Sequence, residues 1–288
     1  MRQTLTDRLQ RLETGRPGSA LPSLPASADP RLADLIARIE RLKGRARLRH
    51  GRASQATLAE KLGGVALAPG LIRIEREFPL WHRIGRRPLS SFLHVGGEHF
   101  QADPQQFLFL DTETTGLAGG TGTVAFMVGI GRLTPSASGF MVRQYLMTEF
   151  AAEGALLQAL AGEVAAADTL VTFNGKSYDL PLLATRFRLR GRINPLAGLP
   201  HLDLRHPLRR IYGKQLPDCR LKTLEQMVLG HHREHDLPGS EAPKAWLNWL
   251  KNGETAELVE VARHNRADVL TMVALCHFLQ TPELAEVG

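Results

Sequence analysis

Cysteine is almost absent from this chain: 288 residues hold two, Cys219 and Cys276, in no spacing that suits a disulfide framework or a metal ligand set. A disulfide-dependent secreted scaffold is therefore excluded, and a reducing compartment fits. No apolar run approaches the roughly 18 residues of a membrane-spanning helix, so no stable membrane insertion is expected. The opening residues, Met1-Arg2-Gln3-Thr4-Leu5-Thr6-Asp7-Arg8, lack the apolar centre of a secretory signal, so cytoplasmic residence is the expectation. His231-His232 with His235 lacks the Cys or carboxylate pattern of a zinc site and reads as loop or surface. No internal repeat is present. With 43% hydrophobic residues, a chain of this length can bury one good-sized core and a smaller appendage.

Acidic residues are scarce where basic ones are dense. Residues 1–100 contain 18 Lys+Arg against 9 Asp+Glu, a net +9, whereas residues 101–288 contain 18 against 20, a net −2. The overall charge of +7 is thus an N-terminal property. Within it, Arg38, Arg41, Lys43, Arg45, Arg47, Arg49 and Arg52 form a cluster, and Leu32, Leu35, Ile36, Ile39 and Leu42 recur at helical spacing. This basic amphipathic helix could hold phosphates, lie on an anionic membrane, or pack its apolar face on the rest of the protein with its charges solvated. Upstream, residues 1–30 include a Pro-, Ser-, Ala- and Gly-rich stretch from Gly15 to Pro30 and are expected to be flexible.

From Leu71 the pattern changes. Ile72-Arg73-Ile74-Glu75-Arg76-Glu77-Phe78 alternates apolar and charged residues like a half-buried strand, and Phe92-Leu93-His94-Val95 reads as another. With the basic helix they make residues 31–100 a helical and β-rich lead-in to a main domain over 101–288. In that domain the apolar run Phe107-Leu108-Phe109-Leu110 is followed by strands near Val124–Ile130 and Phe140–Met147. A helix over about Ala151–Ala166, a strand at Thr169–Phe173 and a helix over Leu180–Arg190 come next. Three consecutive strands followed by alternating helices and strands predict an α/β fold with a mixed sheet flanked by helices.

Chemistry concentrates at the end of the first of those strands. Asp111-Thr112-Glu113 places two carboxylates on one strand face, with Thr112 on the other. Two acids a few Å apart repel, and one takes up a proton unless a hard cation neutralises both. A two-ion site needs about three or four acids and a group that handles water. Two later segments supply candidates. Asn174-Gly175-Lys176-Ser177-Tyr178-Asp179 follows a strand, and Asp179 opens a helix with Pro181 in its first turn; Asp179 taken alone would be a helix cap. His264-Asn265-Arg266-Ala267-Asp268 lies in a long helical pattern from about Glu254 to Gln280, where His264 and Asp268, at i and i+4, share a face. Asp203, two residues from His201, could support the site, touch substrate, or merely end a strand.

DTETTGL, NGKSYD and HNRAD together resemble the three motifs of the DEDD superfamily of 3′–5′ exonucleases, which share an RNase H-like fold. GLAGGTGTVAFMVGIG, HLDLRHPLRRIYG and DLPGSEAP narrow the resemblance to the YprB-like branch of ribonuclease H-like proteins, over roughly Leu71 to Leu279. The resemblance implies that Asp111, Glu113, Asp179 and Asp268 hold two Mg²⁺ or Mn²⁺ ions, with Asp111 and Glu113 bridging them. It also implies a nucleic-acid partner entered at the 3′ end, DNA and RNA being indistinguishable from the motifs. His264 stands where tyrosine-type enzymes carry Tyr, whereas histidine-type enzymes usually place His five residues before the Asp. His264 is accordingly the candidate for orienting or deprotonating water, and Thr114, Asn174, Lys176 and Tyr178 are the candidate substrate contacts. Lys222 is a second candidate phosphate contact. Gly116–Gly122, with no G-x-G-x-x-G order, reads as a flexible hairpin that could approach a nucleic-acid end. The expected activity is metal-dependent 3′–5′ exonucleolysis; a nucleic-acid-binding protein that cleaves little or not at all, or a structure-specific endonuclease, is the alternative.

Overall fold

The computed structural model describes residues 53–94, 103–116, 122–234 and 236–279. The calls on residues 1–30, on the Arg38–Arg52 cluster, on His235 and on the middle of the Gly116–Gly122 stretch lie outside them. A single sheet of seven strands organises the rest, in the order β1-β2-β7-β6-β5-β8-β9. These are β1 (Gly64–Ala68), β2 (Leu71–Pro79), β5 (Phe107–Thr114), β6 (Ala125–Leu133), β7 (Gly139–Met147), β8 (Thr169–Thr172) and β9 (His201–Asp203). The first five run antiparallel to their neighbours, while β8 and β9 run parallel to β5, as the expected mixed sheet requires. A two-stranded ribbon, β3 (Arg83–Ile84) with β4 (Arg87–Pro88), stands apart, and a helix, α1 (Gln55–Leu62), precedes β1.

β5 is central because Phe107, Leu108, Phe109 and Leu110 are buried on both faces, which is how a strand covered on two sides reads. On one face lie α2 (Glu153–Val164) and α3 (Asp179–Leu189), whose Leu156, Leu160, Leu182 and Leu183 join Leu108 and Leu110 in one apolar cluster. On the other lies α7 (Ala256–Cys276), whose Val269, Met272 and Val273 meet Phe107 and Phe109. α7 approaches the sheet closely. A Cβ on Gly129 of β6 would fall 2.1 Å from Oδ1 of Asn265, and one on Gly131 would fall 2.6 Å from Val269. The two glycines thus let the helix backbone descend onto the strand that pairs with Asp111. α6 (Ala242–Asn252) is fastened to the end of β7 by its tryptophans: the indole N–H of Trp246 donates to the Met147 carbonyl at 2.6 Å, and that of Trp249 to Thr148 at 2.9 Å.

Two expectations change. The strand at Ile72–Phe78 is no separate lead-in: β2 is hydrogen-bonded to β1 on one side and to β7 on the other, inside the main sheet. Alternation shows which residues of a strand are buried, not which strands it pairs with. Phe92-Leu93-His94 is not a strand but the end of a 3₁₀ turn, Leu89–His94. Leu89 and Phe92, three residues apart, are both buried, and Phe92 packs edge-on against Phe109 and Phe140, so a short apolar run is satisfied by a three-residue period as well as by a two-residue one.

Candidate functional site

Strand alternation places the first acids as expected. Asp111, opposite Gly129, turns toward α7, where Asn265 Nδ2 donates to its Oδ2 at 2.7 Å. Thr112 turns the other way, and its hydroxyl donates to the Asp179 carboxylate at the start of α3. Asp179 is the first helical residue, with Tyr178 before it in the cap position. Asn265 is itself fully buried and held: its Oδ1 accepts from Gln144 of β7 at 2.8 Å, and the same Gln144 amide donates to the Ala262 carbonyl at 2.7 Å. Gln144, Asn265 and Asp111 therefore form one directed chain of hydrogen bonds from sheet to helix to carboxylate.

Asp111 and Glu113 feel the other acids. Burial, then Asp268, Glu113 and Asp179, push Asp111 well above the ordinary carboxylate range, with Asn265 pulling back. Burial, then Asp268, Asp179 and Asp236, do the same to Glu113. Burial raises Asp179 to about 6 against the Thr112 hydrogen bond. Glu113 is 7% exposed and has no hydrogen-bond or ion-pair partner among the described residues. A carboxylate so largely withdrawn from water is costly unless a proton or cation meets it.

Asp268 is treated differently. Arg233 Nη2 donates to it at 2.7 Å, and His264 Nε2 lies 3.5 Å from its other oxygen. Arg233 also donates to buried Glu225 at 2.9 Å and lies 3.4 Å from Asp236. Burial works against the charge of Arg233, but Asp268 and Glu225 outweigh it and hold the guanidinium protonated. His264 Nδ1 lies 2.7 Å from Asp236 Oδ1. A carboxylate can only accept, so Nδ1 carries a proton toward Asp236 and Nε2 is the ring nitrogen left on the Asp268 side. Against burial, the His264 contact keeps Asp236 below the usual carboxylate range. Among the described residues, no three His, Cys, Asp or Glu side chains converge tightly enough to ligate one ion. Thr112 engages Asp179 and Arg233 engages Asp268 instead.

A cleft of about 440 Å³ opens beside these groups. Asp111, Thr114, Asn174, Tyr178 and Asp179 line it; Glu113, His264 and Asp268 do not. Tyr178 is 61% exposed. Lys176, from the same loop, faces instead a neighbouring pocket of about 360 Å³. Lys222 is exposed on α5 (Leu221–Met227). His231 lies near Glu225, 3.7 Å away. The loop is shaped by Asp203, a buried residue whose carboxylate accepts from the backbone N–H groups of Asn174 at 2.7 Å, Lys176 at 3.0 Å and Arg205 at 3.2 Å. Of the readings left open for Asp203, support of the loop is the one its contacts show. Asn174 adopts a left-handed backbone, φ 66°, and its side chain accepts from Arg205 at 2.9 Å.

Sequence reading missed Asn265, Gln144, Arg233 and Asp236. One signal was present for the first: a Gly-x-Gly pair inside an apolar strand marks a close backbone approach. Asp236 opens DLPGSEAP, a motif that carried the resemblance without assigning it a role, and for Arg233, in a loop among histidines and charges, there was no signal.

Residues 108–280 match the family model of the RNase_H superfamily named RNase_H_2. Over 228 residues the chain is 35% identical to "Uncharacterized protein YprB" of Bacillus subtilis (strain 168), covering 75% of this chain and 54% of that one. The chain thus spans about half the length of this curated relative. Among solved structures it is similar to the family B DNA polymerase of the archaeon Pyrobaculum calidifontis at 14% identity, covering 78% of this chain and 31% of that one, with a TM-score of 0.44, too slight a likeness to argue from. No described helix is long and apolar enough to cross a membrane. A mixed sheet flanked by helices and a family match over more than half its length together place this chain in the RNase H superfamily, to which it belongs as a YprB-like protein.

Proposed function

We propose that the protein is a metal-dependent nuclease acting as a 3′–5′ exonuclease on DNA or RNA. The observation that carries the reading is Glu113: a residue nine-tenths buried whose carboxylate has no partner among the described residues, raised by burial and then by Asp268 and Asp179, and two residues from Asp111, which lines an open cleft. This all-oxygen, mutually repelling donor set suits a hard divalent cation. Asp111, Glu113, Asp179 and Asp268 are the residues that would hold two Mg²⁺ or Mn²⁺ ions, which when bound polarise the phosphate, acidify water and stabilise the leaving 3′ oxygen. The chain's own residues do the rest. Asn265 fixes Asp111, Arg233 holds Asp268, and Thr112 ties the strand to α3. His264, oriented by Asp236, offers Nε2 to take the water's proton. Thr114 and Asn174 contact the end of the strand, and exposed Tyr178 offers a ring for a base to stack on.

One observation favours a second reading. Arg233 already compensates Asp268, and an acid so compensated could belong to a protein that binds nucleic acid without cutting it. End-labelled single- and double-stranded DNA and RNA, incubated with Mg²⁺, Mn²⁺ or EDTA, separate the two. The expected result is stepwise shortening from the 3′ end with metal, none in EDTA, and a loss on the order of a thousandfold in Asp111→Asn, the scale of removing one preorganised electrostatic group. Undiminished cleavage by Asp111→Asn or in EDTA overturns the proposal, and binding without cleavage under every condition establishes the second reading.

A further inference from the structure

The segment after β9 has no role in the site described so far. Its helix α4 (Arg205–Tyr212) is amphipathic in one sense only: Leu208 and Tyr212 are buried beneath it, while His206, Arg209 and Arg210 are exposed above. Residues 204–216 carry Arg205, Arg209, Arg210 and Lys214 and not one Asp or Glu, in a half of the chain whose balance is acidic. Lys176, Arg209, Arg210 and Lys214 make no ion pair or side-chain hydrogen bond among the described residues, so their charge is uncompensated. The nearby acid, Asp203, lies 3.8 Å from His206, but it is buried and its oxygens already accept from three backbone N–H groups.

This basic surface is concave and joins the cleft. Lys176, His206 and Arg210 line the 360 Å³ pocket together with buried Asp203, and the loop that contributes Lys176 contributes Asn174 and Tyr178 to the cleft on its other side. Arg205 clasps Asn174 across the two. We infer that α4 and Lys176 form a track for the phosphate backbone of a single nucleic-acid strand whose end lies in the cleft. This inference rests on the nuclease reading for its direction, and on the geometry of the patch for its ligand. The combination of an exposed aromatic at the cleft with a run of unpaired cations leading away from it is the arrangement that grips single strands independently of sequence. An anionic membrane is the poorer occupant: a helix that lies on lipid must insert an apolar face, and the apolar face of α4 is already buried in the core.

The test uses the full chain in EDTA, so that binding is read whether or not the protein cleaves. Fluorescein-labelled 20-nucleotide single-stranded DNA and RNA are titrated by anisotropy over a range of salt concentrations, with wild type and Lys176→Gln/Arg209→Gln/Arg210→Gln. All three side chains are exposed, so the fold is kept. Three lost phosphate contacts should reduce the slope of log affinity against log salt by about 2, at about 0.7 per contact for a single strand, and weaken binding at least about tenfold near 0.1 M salt. A control, Lys244→Gln/Lys251→Gln/Arg263→Gln, removes the same charge from exposed sites elsewhere and should leave the slope unchanged. An unchanged slope in the α4 variant, or an equal fall in the control, overturns the track. So does a loss confined to phosphatidylglycerol vesicles with oligonucleotide binding intact. If the degradation assay finds no nuclease while the α4 variant loses its slope, the track stands and the catalytic reading falls alone.

Discussion

Asp268 and Glu113 belong to one acidic constellation, yet their surroundings treat them in opposite ways. Asp268 is met by Arg233 at 2.7 Å, within a network that also takes in Glu225, Asp236 and His264. Glu113, more deeply buried, is met by no described donor. Three carboxylates around one arginine is still an acidic balance, so even the compensated half retains attraction for a cation. The contrast teaches where this protein holds its shape and where it is primed for a ligand. The loop and α7 are cross-linked by charge, whereas the strand end carries repulsion that folding alone does not relieve.

Breaking the compensated half should have the largest effect. Arg233→Met removes the only described guanidinium between Glu225, 1% exposed, and Asp268, and leaves buried charge unpaired. The expected destabilisation is about 3–5 kcal/mol, read from urea unfolding, with Arg233→Lys intermediate because an ammonium cannot span both acids as a planar fork does. Stability of Arg233→Met equal to wild type would mean that the network adds nothing and that the two halves are alike.

Next in size is the residue that links the halves. His264→Ala should lower turnover on the order of a hundredfold, the usual range for a general base, while binding of Mn²⁺ persists. Asp236→Asn keeps the imidazole but no longer fixes its tautomer, so a smaller loss is expected there. His264→Tyr should recover part of the His264→Ala loss by orienting water. Cleavage by His264→Ala at the wild-type rate would reduce the His264–Asp236 pair to a helix-to-loop tie.

The comparison also bears on how far the site could be read before the fold was known. Asp111 and Glu113 on one face and Thr112 on the other follow from the two-residue period of a strand, while the partners met there, Asn265 for Asp111 and Asp179 for Thr112, did not. The share of Asp268 and His264 in one helical face followed from their i, i+4 spacing. Contacts set by packing between distant segments were not legible. Asn265 reads as one more polar residue of a helix until Gly129 is seen beneath it, and the pairing of Ile72–Phe78 inside the sheet depends on β7, about 70 residues away in the chain. Lys176 was grouped with Asn174 and Tyr178 by proximity in sequence, but the turn held by Asp203 sends it to the other side of the loop. Charge compensation is least legible of all, since nothing local to Arg233 announces Asp268, 35 residues on.

The smallest effect sharpens the uncompensated half. Asp179 has its folded-state value raised to about 6 from an ordinary 3.8, chiefly by burial. A carboxyl raised in this way binds its proton more tightly folded than unfolded, so it contributes stability below about pH 4 that is lost as pH rises through about 6. In EDTA the wild-type melting temperature should therefore fall between pH 4 and 7. Asp179→Asn, which carries no charge and can still accept from Thr112, should lack that part of the fall. At pH 7.5 the variant is expected to be more stable than wild type by about 1–2 kcal/mol, after discounting for the site's partial exposure, and no more stable at pH 3.5, where both side chains are neutral. Millimolar Mn²⁺ should reverse the order, because it stabilises the wild type by binding only its folded form. Parallel melting curves for the two proteins across this range, with and without Mn²⁺, would show that burial does not raise Asp179 and that Thr112 alone satisfies it.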